Sequence, residues 1–250
     1  MTFSEAQLLD WMTAWLLPFF RILGLVMAAP ILSHRSVPMR LKIGFSLVLS
    51  FLVAPLASIP AGLSLASNSF LIEVIRETAI GASIGFLARV VLVVFELAGE
   101  VIGLQIGLSY AGYFTPGAST GNAVGAFTGT LGLWLFVTLN GPLLLIGVVI
   151  DSFYRLPIQG KNVIPTEQSV LSFANLLGEL FGMALLLALP VIVLILLVNI
   201  AMGVASKVAP QMNLFAVGFP LLITAGLAML SLIVTAFEPV IEKMLMILIR

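Results

Sequence analysis

Six apolar blocks dominate the hydropathy pattern, and each is close to the length that crosses a bilayer as a helix. Such a helix needs about 20 apolar residues. The blocks lie near residues 11–32, 43–60, 70–95, 127–150, 176–200 and 213–236. We therefore predict an all-α membrane protein with about six apolar helical segments.

The fifth and sixth blocks are the most apolar, because residues 180–206 and 208–237 contain no charge and only Lys207 separates them. At about 1.5 Å per residue, a helix over 180–206 is about 40 Å long, which exceeds a bilayer core of about 30 Å. Such helices must tilt, bend or extend beyond the bilayer. Three prolines offer break points, and these are Pro18, Pro190 and Pro220.

The composition supports a membrane location. Hydrophobic residues make up 61% of the chain and charged residues 9%, against about 25% charged in a soluble domain. Acidic and basic residues balance at eleven each, which argues against nucleic acid as a partner. The N-terminus lacks a basic region and a cleavage pattern, so we expect no removable signal peptide.

Fifty residues between Glu100 and Asp151 carry no charge. Glycines and Pro116 disfavour a continuous helix in the middle of this run, at 110–125. Irregular backbone at membrane depth has to line protein or a water-filled cavity. We therefore predict that 110–125 closes a chamber or pore, and a static buried loop is the alternative. The residues assigned to this closure are Tyr110, Gly112, Tyr113, Phe114, Pro116, Gly117, Gly121 and Gly125.

A helix is predicted just before this loop, and it combines acidic and glycine positions. Glu96 and Glu100 are i,i+4 neighbours on one face. Gly99, Gly103 and Gly107 form a small-residue stripe that permits close helix packing. The pattern fits a packing seam with interfacial charges. It also fits a helix whose carboxylates meet charges on another subunit.

The first connection between blocks is basic, with Arg35, Arg40 and Lys42. By the positive-inside rule this connection is cytoplasmic. Summed over six spans, however, the charge bias vanishes and no orientation is predicted. The same side chains could contact a neighbouring subunit or anionic lipid.

Catalytic chemistry is not indicated. His34 is the single histidine, it lies in the basic connection, and there is no cysteine to complete a metal site. An intramembrane protease is disfavoured because its base would have to be His34. We expect no enzyme activity, metal or cofactor.

A separate segment with two prolines is predicted to form a hairpin turn and start its following helix, with residues Pro210, Gln211, Met212, Asn213 and Pro220.

Three groups of segments resemble the FliR family of flagellar biosynthetic proteins and their injectisome counterparts, the type III export-gate subunits. The similarity covers nearly the whole chain, and its order and spacing fit. The segments are Arg21–Pro30 with Arg35–Pro38, Arg40 and Lys42–Gly44; Gly103–Gly107 with Asn140–Pro142 and Asp151–Pro157; and Pro190–Asn199 with Ala209–Phe215 and Gly218–Pro220.

The resemblance implies a specific architecture and role. FliR-like proteins are built of bent helical hairpins and resemble a fusion of FliP-like and FliQ-like folds. One such subunit joins FliP-like and FliQ-like chains in a gate at the flagellar basal body of the inner membrane. That gate passes unfolded flagellar proteins, with FlhB around it and FlhA beneath. The resemblance also places a plug at 110–125, between the two hairpin halves of a single export-gate domain, 1–250.

Two other functions remain open at this stage. The injectisome counterpart shares the architecture, although the segments are more similar to the flagellar branch. A stand-alone secondary transporter is the second alternative, since Ala29-Pro30 and Ala209-Pro210 weakly repeat each other in the two halves. Transporters usually place ionisable residues near mid-span, and residues 180–237 contain none apart from the boundary residue Lys207.

Overall fold

The computed structural model describes residues 5–56, 68–108, 122–158, 167–209 and 214–249, and every regular element in these ranges is helical. The prediction of an all-α membrane protein is confirmed. The seven α-helices are α1 (Glu5–Ala28), α2 (Met39–Val53), α3 (Asn68–Ile106), α4 (Ala123–Thr138), α5 (Gly141–Arg155), α6 (Glu167–Val208) and α7 (Leu214–Ile249), and a 3₁₀ turn (Ala54–Leu56) follows α2.

Within the described ranges, three helices are long and apolar enough to cross a membrane, namely Ser69–Ile106, Leu171–Val208 and Ala216–Met246. A fourth span results if α4 and α5 together form one broken crossing. The first two apolar blocks of the sequence correspond to α1 and to the shorter α2, which has 15 residues. The count of six segments is therefore approximate.

The fourth apolar block is divided, although its hydropathy predicts one return helix over 127–150. Helix α4 ends at Thr138, and Asn140 adopts a left-handed conformation with φ 57°. Asparagine tolerates this region better than most residues. Helix α5 then begins at Gly141 with Pro142 in its first turn, a position that suits proline.

The predicted proline break points lie inside helices. The helices continue through these residues, with Pro18 in α1, Pro190 in α6 and Pro220 in α7. An interior proline removes one backbone hydrogen bond, but the neighbouring turns keep theirs. Of the predicted hairpin-turn residues, Pro220 is therefore helical, and Pro210, Gln211, Met212 and Asn213 lie outside the described residues.

The chain forms two compact units. Unit 1 contains α1, α2, α3 up to Val90, and α5. Unit 2 contains α3 from Val91, α4, α6 and α7. The sequence-based prediction of a single domain over 1–250 stays a prediction.

Glycines bring α1 and the first part of α3 together in unit 1. A Cβ at Gly85 would lie 2.8 Å from the Ala29 backbone nitrogen, and one at Gly24 would lie 3.0 Å from the Ala82 nitrogen. Both positions therefore require glycine for this close approach. The apolar core beside this contact consists of Leu17, Ile22, Leu25, Val26, Val53, Val149, Phe153 and Ile158.

Aromatic packing defines the core of unit 2. Phe95 of α3 and Phe237 of α7 are fully buried, with ring centroids 5.3 Å apart. Gly132 of α4 makes room for the Phe95 ring, since a Cβ there would lie 2.7 Å from Cγ of that ring. Gly226 of α7 in the same way faces the Ile106 side chain. Unit 2 thus joins α3, α4 and α7 by large side chains opposite glycines.

Candidate functional site

A fully buried ion pair connects Arg21 of α1 with Glu77 of α3 in unit 1. Arg21 Nε donates to Glu77 Oε2 at 2.6 Å, and Nη2 donates to Oε1 at 3.0 Å. Both side chains have no solvent exposure. The contact is bidentate, which is the strongest geometry for an arginine and a carboxylate.

The same guanidinium also binds the end of α5. Its Nη1 donates to Ser152 Oγ at 3.0 Å, and Nη2 donates to the Leu156 carbonyl at 2.8 Å. The Arg21 carbon Cζ lies 4.0 Å from the centre of the Phe153 ring. A cation is favourable here because the last carbonyls of a helix carry partial negative charge.

A second arginine reinforces this end of α5. Arg76 donates from Nη1 to Glu73 Oε2 at 3.0 Å and from Nη2 to the Pro157 carbonyl at 3.3 Å. Its Nε is buried without a hydrogen-bond partner. Arg21 and Arg76 thus hold the chain at Leu156 and Pro157 against α3.

Sequence reasoning missed the role of Arg21, although a signal was present. Arg21 is the one charge in the apolar block 11–32, and an ionisable residue within such a block calls for a partner. The identity of that partner could not be read, because Glu77 is 56 positions away.

The α3–α4 seam in unit 2 contains two of the predicted packing glycines. A Cβ at Gly99 would lie 2.7 Å from Gly125 Cα and would overlap the Thr128 hydroxyl. A Cβ at Gly103 would overlap the Asn122 amide. Asn122 caps α4 by accepting from the Val124 N–H at 3.0 Å, and its own Nδ2 donates to the Gly99 carbonyl at 3.4 Å.

The two predicted carboxylates lie along the same seam, opposite glycines of α4. Glu100 is half-buried, its Oε1 accepts from the Asn122 N–H at 3.3 Å, and a Cβ at Gly125 would lie 2.6 Å from that oxygen. Glu96 is exposed, and its Cβ lies 3.4 Å from the position of a Cβ at Gly129. The glycines therefore admit the stems of both acids, and the Glu96 carboxylate is accessible.

Gly107, the third glycine of the predicted stripe, has a different position. It follows the end of α3 with φ 88°, and its N–H donates to the Gly103 carbonyl at 3.1 Å. A glycine in this conformation ends a helix. A Cβ there would lie 3.3 Å from the Phe219 ring of α7.

The predicted closing loop can be described only at one end. Tyr110, Gly112, Tyr113, Phe114, Pro116, Gly117 and Gly121 lie outside the described residues. Gly125 differs from its predicted place in the loop, because α4 already begins at Ala123. Asn122 supplies the cap that starts this helix, a signal present in the sequence.

The basic residues of the first connection separate into two environments. Arg35 and Arg40 are exposed, whereas Lys42 is 8% exposed and its Nζ donates to the Ser33 carbonyl at 3.1 Å. Lys42 thus contacts the backbone of the first connection and does not face outward. His34 accepts at Nδ1 from the Ser36 N–H at 3.2 Å, as a loop residue.

In the part of the chain that the structure describes, no three His, Cys, Asp or Glu side chains lie together so that they could hold a metal ion. The charges that are buried stabilise helix contacts. Long apolar helices, with the buried Arg21–Glu77 pair between two of the helices, define an integral membrane protein of the helical class.

Comparison with known proteins specifies this class. A family model described as bacterial export proteins, family 1, matches residues 12–247. The chain belongs to this family, and within it to the FliR family, as its curated relatives establish.

Three relatives illustrate the similarity, all named flagellar biosynthetic protein FliR. The Escherichia coli (strain K12) protein is 37% identical over 243 residues, covering 96% of this chain and 92% of its own. The Pectobacterium carotovorum subsp. carotovorum protein is 35% identical over 245 residues, covering 98% and 93%. The Bacillus subtilis (strain 168) protein is 26% identical over 239 residues, covering 95% and 92%.

Proposed function

We propose that this chain is a non-enzymatic, pore-forming subunit of the flagellar type III protein export gate. It acts at the basal body in the bacterial inner membrane, where it assembles with FliP-like and FliQ-like subunits. FlhB and FlhA are the further partners, and unfolded flagellar proteins are the substrates. Membership of the export family and relatives named for flagellar biosynthesis support this role.

The length of the apolar surface of α6 carries the proposal. The stretch Leu171–Val208 has 38 residues, and an 18-residue apolar segment within it has a mean hydropathy of 3.0 with 28% of its residues buried. A straight helix of that length measures about 57 Å, and a bilayer core of about 30 Å covers about 39 Å of it even at a tilt of about 40°. The remaining apolar surface needs protein to cover it, as in a multi-subunit gate.

This excess length also bears on the alternatives. A stand-alone transporter would leave an exposed apolar helix end in water. The relatives described above are named for the flagellum, which favours the flagellar gate over its injectisome counterpart.

The segment 110–125 is proposed as the plug of this gate. An uncharged closure suits a channel that must pass a polypeptide without conducting ions. Tyr110, Tyr113 and Phe114 supply apolar rings for such a closure. The capped start of α4 at Asn122 gives the segment a fixed end.

Purification in a mild detergent tests the assembly. We expect FliP-like and FliQ-like chains to co-purify with the tagged full-length protein. Glu96→Lys should lower their recovery severalfold, because the exposed carboxylate is proposed to meet a partner's cation. Glu100→Gln is the milder companion variant, since the side-chain oxygen still accepts from Asn122.

The matched control for this experiment is Asp151→Lys, which reverses an exposed charge on α5, a helix to which no partner contact is assigned. Its recovery of partners should equal that of the unaltered chain. A protein that purifies alone and catalyses solute uptake would overturn the export role. Unchanged recovery with Glu96→Lys would exclude the carboxylate contact and leave the assembly itself intact.

A further inference from the structure

Helix α2 turns its polar side chains inward. Lys42, Ser46 and Ser50 are buried at four-residue spacing, and together with Val53 they form its inner stripe. Ser50 Oγ donates to the Trp15 carbonyl of α1 at 2.9 Å, and Ser46 Oγ donates to the Lys42 carbonyl at 2.8 Å. This polarity is the reverse of a helix on a water-soluble protein.

The other side of α2 is exposed and apolar. Its exposed large side chains are Met39, Leu41, Ile43, Phe45, Leu47, Val48, Phe51 and Leu52. At 3.6 residues per turn, consecutive positions are about 100° apart. The exposed side chains from Ile43 to Phe45 therefore cover about 200° of the helix circumference. One neighbouring helix covers a narrower strip, whereas lipid chains can surround a surface of this width.

A notch lies in the middle of this surface. Arg40, Gly44, Leu47 and Phe51 follow one another at i, i+4, i+7 and i+11, which places them in one line along the helix. Apart from its chain neighbours and the adjacent α2 backbone, no atom lies within 4 Å of the position of a Cβ at Gly44. We call the line of these four residues the α2 groove. Its apolar part has open space directly beside the Arg40 position.

The start of α2 carries basic side chains without acidic neighbours in the sequence. Residues 11–72 contain no Asp or Glu, and the first turn of α2 has no acidic residue. Arg35 and Arg40 are exposed, and no carboxylate of the described residues forms a salt bridge with them. Cations near a helix N-terminus oppose the helix dipole, so they are not there to stabilise α2 itself.

We propose that the α2 groove binds an anionic phospholipid, with the phosphate at Arg35 and Arg40 and an acyl chain along Gly44, Leu47 and Phe51. Arginine and phosphate are complementary in charge and geometry. From Arg40 to Phe51 the helix rises about 17 Å, close to the thickness of one hydrocarbon leaflet, about 15 Å. This proposal is independent of the export role, because it requires only that α2 lies in one leaflet of a bilayer.

Native mass spectrometry of the full-length protein in mild detergent tests this inference. The protein is titrated with phosphatidylglycerol and, separately, with phosphatidylcholine of the same acyl chains. We expect phosphatidylglycerol to bind at least tenfold more tightly. Arg35→Gln with Arg40→Gln should reduce that binding by about tenfold or more and leave phosphatidylcholine binding unchanged.

Two further variants separate the site from general charge and from folding. Arg89→Gln with Lys207→Gln also removes two exposed cations, and its lipid binding should match that of the unaltered chain. Gly44→Leu fills the notch without a clash and adds a better helix former, so the protein should fold and bind phosphatidylglycerol several times more weakly.

Equal binding of the two lipids, or equal losses in the two double variants, would overturn the proposal. So would a Gly44→Leu protein that binds phosphatidylglycerol normally. If the Arg35 and Arg40 variant lost a co-purifying subunit and kept its lipid, the surface would instead bind protein.

Discussion

Arg21 joins three helices of unit 1 through one side chain. Its guanidinium contacts a carboxylate on α3 and a hydroxyl and a carbonyl at the end of α5. The pattern of the sequence identifies Arg21 as unusual within an apolar block. It does not identify Glu77 or Ser152, because contacts between distant helices depend on how those helices cross.

Breaking this pair should destabilise the protein strongly. Arg21→Met leaves a buried carboxylate without its cation, which costs about 3–5 kcal/mol of unfolding free energy. Arg21→Met with Glu77→Leu removes both charges, and we expect it to be more stable than the single Arg21→Met variant. The measurement is the free energy of unfolding in mixed detergent micelles.

Arg89→Met serves as the control for this cycle. It removes an exposed arginine from α3, the helix that contains Glu77, and should change the unfolding free energy by less than about 0.5 kcal/mol. The cycle also needs the single variant Glu77→Leu. If the double variant lost as much unfolding free energy as the two single variants lose together, the two side chains would act independently.

At the scale of elements, small residues decide where α3 and α4 meet. The four-residue spacing of Gly99, Gly103 and Gly107 predicts a stripe on one helix face. The structure uses the first two at close contacts with α4, and Gly107 ends the helix in a left-handed conformation. Spacing alone does not distinguish a packing glycine from a terminating one, because both require the missing Cβ.

The close contact at Gly103 predicts that even one added methyl group there lowers the stability of the protein. Gly103→Ala places a Cβ on the Asn122 side chain and disturbs the cap of α4, so we expect a loss of about 1–3 kcal/mol. Gly147→Ala is the matched control on α5, because no atom apart from its chain neighbours and the adjacent α5 backbone lies within 4 Å of its Cβ position. This control should gain about 0.5–1 kcal/mol from helix propensity.

Thermal unfolding of the two purified variants in detergent checks this comparison. The midpoint should fall for Gly103→Ala and stay level or rise for Gly147→Ala. Equal shifts at both glycines would contradict the assigned packing.

The helix break at Asn140, between α4 and α5, is a second case in which hydropathy and structure differ. A hydropathy window averages over about 20 residues and merges α4 and α5 into one block. The local sequence Asn140-Gly141-Pro142 carries the contrary signal, an asparagine suited to a left-handed conformation before a proline suited to a first turn. The sequence analysis did not use this signal, which marks a boundary that average hydropathy hides.

At the scale of the whole molecule, the gate proposal makes the segment 110–125 the seal. Deleting 110–120 should raise the ion conductance of the closed assembly in planar bilayers, because the apolar closure is removed. Replacing Tyr110, Tyr113 and Phe114 by serine keeps the chain length and should also raise conductance.

Two controls accompany this experiment. The assembly should retain its partner subunits after the deletion, as judged by co-purification, so that leakage does not reflect dissociation. Asp151→Lys provides an assembly with an altered exposed charge and an intact loop, whose conductance should not change. Unchanged leakage in both loop variants would exclude a sealing role.

The sequence by itself determined the helical class, the membrane location and the family, because hydropathy and ordered segments are properties of the linear chain. It also carried the signals for the α4 cap and for the anomalous Arg21. Only the tertiary structure decided that Arg21 pairs with Glu77, that Lys42 faces inward and that α2 exposes an apolar groove beside two arginines. These features depend on which helix faces meet, and that is set by close packing between residues far apart in the chain.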